Sequence, residues 1–244
     1  RHVAEALGEL DGLLSTWMNS AADADQKRAQ ILSYWVKTYT GMLRREPEFN
    51  PESIPRLTRR QIVNVDFGFR VGSELGGLHY AVVLDKKNSV RNNTVTVIPL
   101  GSLKENYRPS PNKIALEDGI YVVLSEKVEQ QLAQARAIID SVSTDSELQK
   151  MDSAARMAEA MKRFAVAKEK LDSANASVRK MEKLKSGSVA NVSQITTVSK
   201  LRIKEPTTPQ AALYGVKVSE RDMEQIEKAV VDLYISKGNI KNIL

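Results

Sequence analysis

The chain has 244 residues, of which 42% are hydrophobic and 27% charged, a globular balance with length for one or two domains. Cysteine is absent, which excludes disulfides, thiolate metal sites and cysteine nucleophiles, and no apolar run approaches the ~18 residues of a membrane span. Lys plus Arg number 36 against 30 Asp plus Glu, and the net charge of +6 favours an acidic partner such as nucleic acid.

Residues 1–46 read as a helical arm. Val3, Leu10, Trp17, Ala24 and Ile31 recur every seven residues. Leu7, Leu14, Ala21, Trp35 and Met42 take the interleaved position, with Arg28 the one charged intruder. This stripe predicts a long helix. The polar stretch 20–25 leaves a helical hairpin open as well. Pro47, Pro51 and Pro55 then make 47–58 a linker.

From residue 59 the pattern changes. Residues 61–67 alternate, with Val63, Val65 and Phe67 on one face. Residues 80–84, 94–100 and 120–124 are short runs rich in β-branched or apolar side chains, separated by Gly, Asn, Ser and Pro. Each predicts a strand of a compact, mostly antiparallel sheet. From residue 125 the period returns to helix. Val128, Leu132, Ala135, Ile139 and Val142 alternate by four and three, and Asp145 or Ser146 is placed to cap the next helix. Between residues 147 and 185 neither Gly nor Pro occurs; Met157, Phe164, Leu171 and Val178 repeat at seven, with Ala160, Ala167, Ala174 and Met181 in the partner position. The insertion 125–186 therefore reads as an antiparallel coiled-coil hairpin. Residues 188–197 resume a strand pattern, and Ser219 caps a last helix expected to stop at Gly238. The two flanks, 59–124 and 187–244, form one β domain interrupted by the hairpin.

The chemistry-bearing stretch is Val71-Gly72-Ser73-Glu74-Leu75-Gly76-Gly77-Leu78-His79-Tyr80, between two expected strands. Its glycines can bring backbone N–H groups close to a ligand, or simply serve a long hairpin loop. His2 and His79 are the only histidines, and no metal-binding or nucleotide-loop motif is present, so no metal or cofactor is expected.

Asp66-Phe67, Gly72-Ser73-Glu74, Gly76-Gly77 and Ala81-Val82-Val83-Leu84 resemble the first two strands of the MazF/PemK family of ribonuclease toxins. Thr96-Val97-Ile98-Pro99-Leu100 is similar to that family's third strand, and Gln194-Ile195 with Lys200-Leu201-Arg202 to its late strand and following turn. The resemblance covers about residues 59–124 and 187–236 and leaves the N-terminal arm and the hairpin as additions. It implies an α+β protein built on an SH3-like small β-barrel. The implied function is that of a toxin–antitoxin ribonuclease cutting single-stranded RNA without metal, through 2′-OH attack that leaves a 2′,3′-cyclic phosphate. A cognate antitoxin and a homodimer are the implied partners, with no membrane, in the cytoplasm.

Two positions depart from the family. Its Arg-Pro after the glycine turn is His79-Tyr80 here, and a threonine after the third strand is Gly101, with Ser102 next. Imidazole takes and gives protons near neutral pH, so His79 is the candidate general acid or base. Ser73 and Ser102 are candidate donors to the phosphorane. Glu74, Gly76, Gly77 and Phe69 are candidate substrate contacts, Phe69 as a stacking platform. Lys86, Lys87, Arg91 and Lys104 are candidate phosphate contacts. The alternative is a catalytically inactive module that binds nucleic acid or protein, with the coiled coil as its docking arm.

Overall fold

The computed structural model describes residues 1–117, 119–181 and 187–236 and breaks the N-terminal arm into two helices, α1 (His2–Met18) and α2 (Asp23–Arg45). One continuous helix is thereby corrected to a helical pair. The polar stretch between the helices supplies the reason. Ser20 Oγ donates to Asp25 at 2.8 Å, and Gln26 Nε2 donates to the Ser20 carbonyl at 2.9 Å. Backbone groups released by the break thus find local partners.

Residues Arg1–Asn50 and Asp66–Leu78 form one compact unit; Pro51–Val65 and the residues from His79 onward form another. In the first unit, Ala29 and Met42 are buried on α2, while α1 has no buried residue. The segment 66–78 belongs with these helices. The Trp35 ring lies against Gly68, and Phe69 meets the Trp17 ring at 6.3 Å between centroids. The Arg28 guanidinium sits 4.3 Å from the Trp17 ring centroid.

The second unit is built on a seven-stranded sheet: β1 (Ile62–Asp66), β2 (Leu78–Val83), β3 (Thr94–Ser102), β4 (Lys113–Leu116), β5 (Ser188–Asn191), β6 (Thr196–Ser199) and β7 (Ile203–Glu205). The order is β4-β5-β3-β2-β1-β7, with β6 also on β3. The expected closed barrel gives way to an open antiparallel sheet. On β3, residues 94–97 pair with β6 and residues 100–102 pair with β5. A short 3-10 turn, Val192–Gln194, separates β5 from β6, so the sheet bends there. The end strands β4 and β7 span only four and three residues, and among the described residues they do not pair with each other.

Residues 120–124 are not a strand. They open α3 (Ile120–Thr144), whose N-cap is Gly119. Ile120 and Leu124 lie four apart, on one helical face, and both enter the core. The β-branched run lacked period-two alternation, and burial on a helical face outweighed β propensity. Strand β4, hidden in a polar, proline-bounded stretch, carried no alternation to reveal it.

Asp145 caps the five-residue α4 (Ser146–Lys150) by accepting from the Glu147 and Leu148 amides, and it pairs with Arg163 at 2.7 Å. The Arg163 partnership holds the carboxyl below the usual aspartate range, helped by the two cap amides. The last arm is α5 (Ser153–Met181), packed on α3 with Ala167 and Ala174 buried. Gln131 meets Ser173, and Ser141 meets Arg163; advancing along α3 means retreating along α5, as antiparallel helices require. Met157, Phe164, Leu171 and Val178 lie on the exposed side of α5. Finally, α6 (Glu220–Tyr234) is capped by Ser219, whose Oγ accepts from the Asp222 amide at 3.0 Å, and it sends Met223 and Ile226 into the core with Val82, Ile98 and Leu213. The expected helix ends at Lys185 and Gly238 lie outside the described residues.

Candidate functional site

Strand register fixes where His79 can act. Ala81 pairs with Pro99, Val82 with Ile98 and Val83 with Val97. Carried two residues further, this register sets His79 opposite Gly101. Paired residues share a face, and faces alternate along a strand. Tyr80, Val82, Ile98 and Leu100 therefore lie on the core side, where Val82, Ile98 and Leu100 belong to the main cluster and Tyr80 packs against it. His79 lies on the other side with Ala81. The ring is half-buried, and among the described residues no hydrogen bond or ion pair engages it. A Cβ built on Gly101 would meet open space, so the facing position offers room.

Ser102 is exposed at the end of β3, paired with Ser188. By the same alternation it falls on the opposite strand face from His79. The structure therefore does not bring these two candidates together.

The basic candidates sit on loops of the second unit. Lys86, Lys87, Arg91 and Lys104 are exposed. Arg91 pairs with Glu52 at 3.1 Å, a contact of two well-solvated side chains that contributes little to stability. The loop following β2 is nonetheless held firmly. Asn88 donates to Asp85 at 2.7 Å and to the Thr94 carbonyl at 3.0 Å. The Lys200 ammonium, buried under the loop, donates to the Ser89 carbonyl at 2.9 Å, and that burial lowers its pKa. Lys86 and Lys87 are thus displayed from a fixed support.

Ser73, Glu74, Gly76, Gly77 and Phe69 lie in the first unit. The neck of their loop is closed by the Gly77 amide donating to the Gly68 carbonyl at 2.7 Å and the Phe67 amide donating to the Gly77 carbonyl at 2.8 Å. A Cβ on Gly76 would come within 2.7 Å of the Gly68 carbonyl, so this approach requires glycine. Glu74 pairs with Arg70 at 3.6 Å. Phe69 rests on Trp17, so it serves as the loop's apolar anchor to the helical pair.

A polar cluster that the sequence did not disclose lies beside the core of the second unit. Lys180, near the end of α5, forms a close ion pair with Glu205 of β7, and its ammonium lies 5.4 Å from the Tyr80 ring centroid. Glu205 also accepts the Leu213 amide at 3.2 Å. Burial, and then the Glu205 charge, push the Tyr80 phenol up to about 12. Lys127 of α3 donates to the carbonyls of Ala211, Ala212 and Tyr214 at 3.3, 2.7 and 2.8 Å. These residues come from separate chain segments, so no local pattern could mark them.

Lys127 gives a pH prediction. Burial lowers its pKa from 10.5 to about 8, with the Glu205 charge pulling the other way. Below about 8 both folded and unfolded chains hold the proton, and the folded state bears the desolvation cost. Between about 8 and 10.5 the unfolded chain holds more protons, so stability rises with pH. Tyr80 acts later and with opposite sign. Its folded value lies above the ordinary 10, so stability falls as pH rises from about 10 to 12. Urea unfolding at about pH 7.5 and 9.5 should show wild type gaining stability relative to Lys127→Met. Parallel pH dependence in the two proteins would remove Lys127 as the cause.

Among the described residues, no group of three or more His, Asp or Glu is arranged to hold a metal ion, and no helix is long and apolar enough to cross a membrane. No curated protein matches the chain. Residues 58–181 match a family model described as PemK-like, MazF-like toxin of type II toxin-antitoxin system, a span that runs from before β1 to the end of α5.

Proposed function

Because the chain belongs to the PemK-like, MazF-like toxin family of type II toxin-antitoxin systems, we propose that it is an endoribonuclease cutting single-stranded RNA, with β1–β3 as the core of an SH3-like scaffold. The observation that carries the proposal is His79, a half-buried imidazole with no partner among the described residues, on the strand face away from the core. In the proposed reaction the ribose 2′-oxygen attacks the adjacent phosphorus while a base removes its proton. The bond from phosphorus to the 5′-oxygen breaks, and an acid protonates that oxygen. The products are a 2′,3′-cyclic phosphate and a free 5′-hydroxyl.

His79 is the proposed base or acid. Lys86, Lys87, Arg91 and Lys104 are proposed to draw the RNA backbone to the second unit, with Ser102 as a hydrogen-bond donor. Ser73 and Glu74, with the backbone at Gly76 and Gly77, are proposed RNA contacts of the other unit. Phe69 is a poorer candidate for base stacking, because Trp17 already lies against it. The family implies an antitoxin as the physiological partner, and a homodimer is proposed.

The test is cleavage of a mixed-sequence single-stranded RNA by purified protein in excess EDTA. The expected products carry 2′,3′-cyclic phosphate ends, read at single-nucleotide resolution. Salt-sensitive RNA retention with no cleavage at any protein concentration would instead establish the binding-module reading.

A further inference from the structure

The inserted hairpin builds a cavity of its own. Within the second unit, α3, α5 and residues 214–217 line a space of about 420 Å³. That lies at the small end of ligand sites, which run ~300–1,000 Å³. It suits a single small ligand better than a peptide or a duplex. Its far wall is fixed by Lys127, whose three hydrogen bonds to the 211–214 carbonyls tie that segment to α3.

The lining has a specific chemistry. Gln130, Gln131 and Gln134 present amides from α3, Lys170 and Lys217 present ammonium groups, and Tyr214 presents an exposed ring. Among the described residues neither lysine has a carboxylate partner. The Gln131 side chain is fixed by donating Nε2 to Ser173 Oγ at 2.8 Å, and its buried Oε1 is left with no hydrogen-bond partner. A buried acceptor without a donor is costly. Amides pair with base edges, ammonium groups pair with phosphate, and a tyrosine face stacks on a base.

We propose that this cavity is a nucleotide pocket: it takes one nucleoside monophosphate unit, with an amino-bearing base toward Gln131 and the phosphate at Lys170 and Lys217. The nucleotide is either free or part of an RNA strand; the second source rests on the endoribonuclease reading above, and the first does not. The insertion would then be a second recognition surface as well as an arm.

Binding is measured with the whole chain carrying His79→Ala, so that cleavage cannot intervene and the outcome is independent of the catalytic proposal. The probes are 5′-AMP, 5′-UMP, adenosine, and a short adenine-containing 2′-O-methyl RNA. Calorimetry is expected to show 5′-AMP binding about tenfold tighter than adenosine, a difference of about 1.4 kcal/mol. Lys170→Glu and Gln131→Leu should each weaken 5′-AMP binding about tenfold, by loss of a charged or buried hydrogen-bond partner. 5′-UMP, which lacks an exocyclic amine, should bind more weakly than 5′-AMP. Competition by the RNA oligomer identifies the strand as a source, and its absence with 5′-AMP bound identifies the free nucleotide; either supports the pocket. Failure of both to bind, or affinities unchanged in both variants with helicity intact, overturns it.

Discussion

His79→Ala is expected to lower RNA cleavage by ~10²–10⁴-fold, the range supplied by a positioned acid or base. The substitution should leave the fold intact, because His79 lies outside the core cluster and makes no hydrogen bond among the described residues. Far-UV circular dichroism and thermal unfolding should therefore match wild type. His79→Arg separates two roles. A guanidinium restores positive charge but cannot release its proton. Partial recovery of rate, with loss of the wild-type rate variation between about pH 6 and 8, would identify proton transfer as the histidine's contribution. Ser102→Ala, altering the opposite strand face, should cost less than His79→Ala. Full activity in His79→Ala would remove the imidazole from the mechanism and leave the family assignment to rest on the scaffold.

The parts of this architecture that could be read ahead are those encoded by short-range periodicity. The α5 repeat at seven, the Asp145 cap and the Ser219 cap each need only a few neighbouring residues to be recognised. The failures came where distant packing decided. Ile120 and Leu124 look like strand residues until their shared helical face is seen against the core. β4 exists because β5, some seventy residues later, offers it an edge. The bend that keeps the sheet open depends on β3 receiving two partners along one edge. At the site, His79 was visible as the one histidine beside the glycine turn. Its separation from Ser102 was not, because a one-residue offset moves a side chain through the sheet. Tyr80, Lys180, Glu205 and Lys127 escaped notice for the same reason as β4: no local signal joins segments so far apart.

Gly68→Ala should be the most damaging single-carbon change in the 66–78 loop. Gly68 has a φ of +79°, and a Cβ there would lie 2.5 Å from the Trp35 ring. The left-handed backbone costs an L-residue roughly 1–2 kcal/mol. Forcing a methyl group into packed space adds ~1–3 kcal/mol. The expected total is about 3 kcal/mol, measured by urea unfolding followed by circular dichroism. Gly72→Ala supplies the contrast. Its φ is +61°, yet a Cβ meets nothing within 4 Å, so only the backbone cost of roughly 1–2 kcal/mol remains. The steric share can be isolated in a Trp35→Leu background, where the clashing ring atoms are gone. Gly68→Ala should then cost no more than Gly72→Ala, and the difference between backgrounds is the coupling energy between loop and helix. Equal costs in both backgrounds would mean that Trp35 yields freely. The loop bearing Ser73 and Glu74 would then be held by its glycine neck and by Phe69 on Trp17, with the Gly68–Trp35 contact adding nothing.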